Sequence, residues 1–341
     1  MLVPAAASAA GPGTTVLVFG NANGPAGPVA VSDGGRHVLF SSEGSNLDPA
    51  AHGSTQELFV HDRLTGTTTL ASRGDGPFGA QAASGADEGD ISADGRYVVF
   101  QSSDRLTADA PSGDHVYLRD LATGVTTLVD RASDGSPADG DSASPLISDD
   151  GSRVVFLSDA LNLGVTATSP GSWLFVHDLR SGETKVAAVD SSGRPEEDIT
   201  SGSFDFSGDG RHVAYGRLSL DLPVGGGFTI NAEIYARDLD GDTTTLISRT
   251  SGTGGPGESF PTWPTISRDG SRVAFTNWAI GLSGGGSSPS SAYVSDVGAT
   301  APELVAADVV GGVPAVKISP DGQRVAFESA DTTLVPDANI T

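Results

Sequence analysis

Nine residues near the end of the chain, Ser319-Pro320-Asp321-Gly322-Gln323-Arg324-Val325-Ala326-Phe327 (SPDGQRVAF), decide the fold, because the same pattern occurs five more times. The other copies begin at Ser32 (SDGGRHVLF), Ser92 (SADGRYVVF), Ser148 (SDDGSRVVF), Ser207 (SGDGRHVAY) and Ser267 (SRDGSRVAF). Their shared glycine falls at 35, 95, 151, 210, 270 and 322, a spacing of 52 to 60 residues that marks an internal repeat. A second series keeps step with it: LFVHDRLTGTTTLAS from Leu58, VYLRDLATGVTTLVD from Val116, LFVHDLRSGETKVAAV from Leu174, IYARDLDGDTTTLIS from Ile234, and a degenerate AYVSDVGATAPELVAA from Ala292.

Each repeat therefore holds four β-rich runs, a to d, which in the first copy are 29–32, 36–42, 58–62 and 67–72. The S-x-D-G between a and b and the D-L-x-T-G between c and d are tight-hairpin sequences, in which Gly supplies a positive φ and Asp bonds nearby amides. No window sustains a helical period. Four antiparallel strands per unit without helices predict an all-β, six-bladed β-propeller of four-stranded antiparallel blades, at about 28–72, 87–130, 143–189, 201–248, 262–307 and 313–341.

The expected layout is a flexible leader or signal-peptide remnant over 1–12, with Ala7-Ser8-Ala9 of the kind that precedes a signal-peptidase cut, followed by a single propeller over 13–341. The run TTVLVF at 14–19 is expected to serve as a closing outer strand for the last blade. That blade's own c-strand Asp, one 58-residue step beyond Asp296, falls near 354, so the sixth blade is expected to be incomplete and the chain a fragment.

Composition narrows the partners. Nineteen basic against 43 acidic residues give a net charge of −24, which repels nucleic-acid backbones and anionic lipid surfaces. The absence of cysteine removes disulfides, thiolate metal sites and cysteine nucleophiles. No apolar run reaches the length of a membrane helix. A monomeric, extracytoplasmic bacterial protein is expected.

The S-P-D-G-x-x-V-A-F hairpin followed by an aromatic-x-x-D-L-x-T-G strand resembles the WD-like repeat of TolB-like six-bladed propellers, over about Thr14 to Phe327. The resemblance implies the fold. For function it implies a range: periplasmic accessory proteins that bind other proteins, non-catalytic propeller domains attached to peptidases, and some polysaccharide lyases.

In antiparallel blades the a–b and c–d turns lie at one end and the b–c and d–a connections at the other. The second set is long and differs in every blade, so the binding residues are expected there. Its carboxylates are Asp87, Glu88, Asp90, Asp141, Glu196 and Asp198, with Asp205 in the a strand of blade 4, and its aromatics are Phe260, Trp263 and Trp278. The carboxylates suit a cationic ligand or a divalent cation such as calcium, although no cofactor is required, and the aromatics suit a sugar or a partner side chain. A solvated acidic rim and inter-blade packing are the plainer readings of the same residues.

His61 and His177 share one slot in the c strands, and His37 and His212 share another in the b strands with Tyr97, so neither pair is spaced for metal ligation or base catalysis. The hairpin arginine follows the shared glycine by one residue (Arg36, Arg96, Arg211) or by two (Arg153, Arg272, Arg324), which predicts opposite sheet faces and no single guanidinium ring. Arg73-Gly74-Asp75 spells an adhesion tripeptide that this composition yields by chance.

The expected function is a non-catalytic binding module for a protein, peptide or glycan, acting through the b–c/d–a face. The alternatives are a carbohydrate-active enzyme of the polysaccharide-lyase or glycosidase type, and an accessory propeller of a longer multidomain protein.

Overall fold

The structure is a computed structural model that describes residues 22–53, 55–76, 79–86, 88–165, 171–190, 192–197, 199, 202–221, 229–249, 262–277, 291–306 and 316–327. The leader 1–12, the run 14–19 and the stretch 328–341 lie outside the described residues. The chain divides into two compact units, residues 1–170 with 175–185 and residues 171–174 with 186–341.

The first unit contains a sheet of β1 (Ala26–Val31), β2 (His37–Ser42), β3 (Glu57–Asp62) and β4 (Thr67–Leu70), and a second of β5 (Gly89–Ile91), β6 (Tyr97–Ser102), β7 (His115–Asp120) and β8 (Val125–Leu128). The third, β9 (Ser142–Ile147), β10 (Arg153–Ser158), β11 (Trp173–Asp178) and β12 (Thr184–Val186), is crossed by the boundary between the units. The second unit holds β13 (Phe204–Phe206), β14 (His212–Asp221), β15 (Thr229–Asp238) and β16 (Thr243–Leu246), then β17 (Thr262–Ile266), β18 (Arg272–Asn277), β19 (Ser291–Asp296) and β20 (Glu303–Ala306), and a pair β21 (Lys317–Ile318) and β22 (Val325–Ala326). Every four-stranded sheet follows chain order, and the registers given are antiparallel throughout. The one helical element among the described residues is a three-residue 3₁₀ turn at Asp33–Gly35.

The repeated motifs build these hairpins. In SPDGQRVAF the Asp321 carboxylate accepts from Ser319 Oγ at 2.5 Å and from the Gln323 amide at 3.0 Å, while the Arg324 amide donates to Ser319 Oγ at 2.9 Å. Gly322 sits at φ 68°, where a Cβ would be strained. The same Ser oxygen accepts the amide five residues on in each of the other copies. At the c–d turn the last Asp of the strand accepts the amide two residues later, as Asp62 does from Leu64 and Asp120 from Ala122.

The arginines depart from expectation in their targets. Arg36, Arg96 and Arg211 make forked contacts to Asp62, Asp120 and Asp238, and Arg153 and Arg272 reach Asp178 and Asp296. Both registers end on the same c-strand carboxylate. Arg272 stands directly across from Asp296, whereas Arg36 is one residue before His37, the residue opposite Asp62, and its long stem spans the offset.

Each four-stranded sheet pairs an aromatic of its b strand with one of its c strand: Phe40–Phe59, Phe100–Tyr117, Phe156–Phe175, Tyr215–Tyr235 and Phe275–Tyr293, with centroids 5.6 to 6.0 Å apart and all but the half-buried Tyr235 fully buried. Neighbouring sheets are stitched at their hairpin tips. Asp33 N–H donates to the Ala93 carbonyl and Ala93 N–H to that of Asp149; in the second unit Asp209 donates to Arg268 and Arg268 to Pro320. The b-strand histidine slot lies under the next hairpin glycine: a Cβ on Gly95 would fall 1.9 Å from His37 Nδ1, and one on Gly270 2.0 Å from His212 Nδ1.

Candidate functional site

In the first unit the long connections of two sheets border an open cavity of about 270 Å³. Thr55 and Gln56 come from the β2–β3 connection, Ser84 from the β4–β5 connection, Gln101 and Ser103 from the end of β6, and Asp114 from the start of β7. All but Gln101, which lies in β6 itself, belong to b–c and d–a segments. Its walls are fixed from behind: Ser84 bonds Asp104 through both N–H and Oγ, Gln56 Nε2 donates to Ser41 Oγ at 2.8 Å, and the Asp114 amide donates to Asp141 Oδ1 at 3.0 Å. The lining offers hydroxyls, two carboxamides and one carboxylate, which suits a ligand rich in hydroxyl or amide groups.

One column of the repeat is buried in every four-stranded sheet, the residue five before the Asp that ends each c strand: Glu57, His115, Trp173, Glu233 and Ser291. Two residues past the first four d strands stand Ser72, Asp130, Ala188 and Ser248, of which Ser72, Asp130 and Ser248 accept the amides of Leu58, Val116 and Ile234. Glu57 accepts from Ser72 Oγ at 2.5 Å and from Thr55 Oγ1 at 3.0 Å, yet burial outweighs those bonds and pushes its carboxyl up to about 7. His115 Nδ1 lies 2.7 Å from Asp130 Oδ2. Burial opposes its charge, but the Asp130 bond and the charges of Asp130, Asp141 and Asp114 raise its pKa above the ordinary value.

Of the residues expected to form the site, Asp87, Asp198, Phe260 and Trp278 lie outside the described residues. Glu88 is exposed and its Oε2 accepts from Ser144 Oγ at 2.9 Å, while Asp141 stands one bond behind the cavity through Asp114. Asp90 and Asp205 occupy equivalent positions and do equivalent work. Asp90 accepts the amides of Ile91 and, one sheet on, Ile147; Asp205 accepts those of Phe206 and Ile266. Thr265 Oγ1 repeats the link to Ile318. Both carboxylates are thus engaged in staples between sheets, and burial raises the Asp205 pKa.

Glu196 is buried beside a group that the sequence reading missed. Its Oε2 lies 3.0 Å from Arg217 Nε, and Arg217 Nη1 lies 3.6 Å from Glu233 Oε2, which also accepts from Tyr235 OH at 2.6 Å. Arg217 and Glu233 face each other across β14 and β15, strands of ten residues where most sheets use six or fewer. Trp263 takes a positive φ of 46°, the bulge position that Ser144 holds in the third sheet, and its indole lies over Gly202. A Cβ on Gly202 would come within 2.7 Å of Trp263 Nε1. Among the described residues no three His, Asp or Glu side chains converge to hold a metal ion.

Glu57, His115 and Glu233 are legible by one route, namely aligning the repeats column by column and asking where ionisable residues enter the column that Trp173 fills in the third sheet.

No family model and no curated protein matches this chain. Solved structures do. The β-propeller domain of the Trilobed protease from Pyrococcus furiosus aligns at 11% identity over 89% of this chain and 78% of that one, with a TM-score of 0.53. Pyrococcus horikoshii acylaminoacyl peptidase aligns at 13% identity over 89% and 42%, with a TM-score of 0.50. TolB from Acinetobacter baumannii aligns at 17% identity over 79% and 53%, with a TM-score of 0.43, so the chain spans about half of that TolB's length. The likeness to the propeller domain, joined to the ordered four-stranded sheets, shows a β-propeller fold, with TolB among its structural neighbours.

Proposed function

We propose that this chain is a non-catalytic, extracytoplasmic binding module that takes a glycan or an extended peptide in the cavity between its first two sheets. The observation that carries this reading is the lining. Gln56, Gln101, Thr55, Ser84 and Ser103 supply neutral donors and acceptors, and Asp114 is the single ionisable group among them. A cavity so built orients hydroxyls and amides without offering a paired acid and base. Export is supported by the Ala7-Ser8-Ala9 triplet.

The test is a calorimetric titration of the full chain with a panel of neutral oligosaccharides and extended peptides, repeated with Gln101→Ala and Asp114→Asn. A ligand whose affinity falls at least about tenfold in both variants, the loss of one hydrogen bond or more, supports the reading. Binding that ignores both substitutions, or ligand turnover, overturns it.

A second reading rests on Glu196, Arg217 and Glu233. Two carboxylates around one guanidinium, at the base of a long hairpin, are groups that a carbohydrate-active enzyme could use. Turnover of a glycan by the native chain and its loss in Glu233→Gln would favour this reading over the first. Alignment with a part of longer peptidase chains also suits a role as the accessory propeller of a multidomain protein.

A further inference from the structure

The last but one residue of each c strand is His61, Arg119, His177, Arg237 or Ser295, and in the second, third and fourth sheets the hairpin that follows the preceding d strand comes to meet this end of the sheet. In the second sheet the fit is complete. Arg119 Nη1 donates to the Gly74 carbonyl at 2.7 Å and Nη2 to the Gly76 carbonyl at 3.1 Å; Asp75 Oδ1 accepts the Thr126 amide at 2.7 Å, and the Arg73 carbonyl accepts Thr126 Oγ1. The Arg73-Gly74-Asp75-Gly76 turn is therefore a bound peptide that happens to be covalently attached. In the third sheet His177 replaces the arginine and bonds Thr184 Oγ1 at 2.8 Å, and Ser133 of the shorter Arg131–Pro137 hairpin accepts the Thr184 amide.

The fourth sheet keeps the arginine. Arg237 Nη1 donates to Thr244 Oγ1 at 3.1 Å, and Thr244 Oγ1 donates to the Val189 carbonyl, as Thr126 does to Arg73. Among the described residues, however, no main-chain carbonyl reaches Arg237. A pocket of about 330 Å³ opens there instead, lined by Asp190, Gly193, Arg237, Asp242, Thr243 and Thr244. Arg237 Nη2 is met by the carboxylate of Asp242.

Asp242 stands where the other turns carry Gly66, Gly124 and Gly182, and it takes their left-handed conformation at φ 54°, which a side chain disfavours. In the second sheet a Cβ on Gly124 would lie 3.6 Å from Arg119 Nη2 and 3.8 Å from the Gly76 carbonyl carbon. A side chain on that glycine points at the place where the Gly76 carbonyl sits. Asp242 thus puts its own carboxylate where the internal peptide puts a carbonyl oxygen. Its side chain is 84% exposed while that of Arg237 is 10% exposed, so the carboxylate can swing out and the guanidinium cannot follow.

We propose that the Arg237 pocket receives a glycine-containing turn of a partner protein, two of whose main-chain carbonyls contact the guanidinium as Gly74 and Gly76 contact Arg119, and that Asp242 occupies the site until displaced. Neutral carbonyls suit a strongly acidic chain better than an anionic ligand does. This site is separate from the cavity of the first two sheets and does not depend on it.

The probe is a capped synthetic peptide copying residues 72–81, SRGDGPFGAQ, titrated into the full chain while the Arg237 Nε–H resonance is followed by NMR. Asp242→Gly, which restores the glycine of the other turns, is expected to bind about tenfold tighter than the native chain, the worth of one displaced charge-assisted bond. Asp242→Asn keeps a residue tolerant of the left-handed conformation and is expected to tighten binding in the same direction. Arg237→Gln is expected to abolish saturable binding, with the Arg119 resonance unmoved throughout. Failure of the peptide to shift Arg237 in either Asp242 variant, undiminished binding in Arg237→Gln, or a shift confined to Arg119 would overturn the proposal.

Discussion

His115 Nδ1 and Asp130 Oδ2 lie 2.7 Å apart with both side chains sealed from water. The same slot in the third sheet holds Trp173 and Ala188, a large apolar residue matched to a small one. Removing one member of a buried pair leaves the other uncompensated, so Asp130→Ala alone is expected to cost about 3–5 kcal/mol. His115→Trp with Asp130→Ala copies the third sheet and is expected to recover most of that loss in urea denaturation. A double variant as weak as the single one would show that the pair is not interchangeable with apolar packing.

Glu57 makes stability depend on pH in the direction opposite to a surface carboxylate. Its folded pKa is raised from 4.5 to about 7, so between those values the folded chain retains a proton that the unfolded chain releases. The stabilisation is complete below about pH 4.5 and is lost as pH rises through 7. Unfolding free energies at pH 5 and pH 8 are expected to differ by up to about 3 kcal/mol more in the native chain than in Glu57→Gln. Equal pH slopes in the two would refute a raised pKa.

Gly95 combines two demands, a φ of 75° and a ring beneath it. Gly95→Ala is expected to destabilise by about 2–4 kcal/mol, from backbone strain and collision with His37. His37→Ala in the same chain removes the collision and leaves the strain, so thermal melts should show partial recovery. A neutral Gly95→Ala would mean that the hairpin can shift away at little cost.

Asp90 and Asp205 are expected to report on stability rather than on ligand. Each accepts amides from its own sheet and from the next, and an asparagine offers one oxygen in place of two. Asp90→Asn and Asp205→Asn are each expected to cost about 1–3 kcal/mol, and neither should alter affinity for a ligand of the first-sheet cavity. An unchanged melting curve with altered binding would return these carboxylates to the list of ligand residues.

The hairpins were legible because their chemistry is local. Ser319, Asp321 and Gly322 bond within six residues of one another, so short-range sequence carries the whole instruction. What stayed hidden was the use of side chains between repeats. Asp90 bonds an amide 57 residues away and Arg119 a carbonyl 45 residues away, distances at which a carboxylate in a loop looks the same whether it faces water or a neighbouring sheet. The alternating register of Arg36 and Arg153 misled for a related reason, since a long side chain reaches the same Asp from either starting point.

Within each unit the tip-to-tip bonds have a direction: Asp33 and Ala93 in the first, and Asp209 and Arg268 in the second, each give an N–H to the next hairpin's carbonyl. Pro320 accepts from Arg268 and, being an imide, has no hydrogen to pass on. The row behaves like a growing polymer whose last monomer is a chain terminator. Whatever comes to lie beyond Pro320 cannot prolong that run by the same bond, because the second residue of SPDGQRVAF is the one position in the motif whose main chain has nothing to donate.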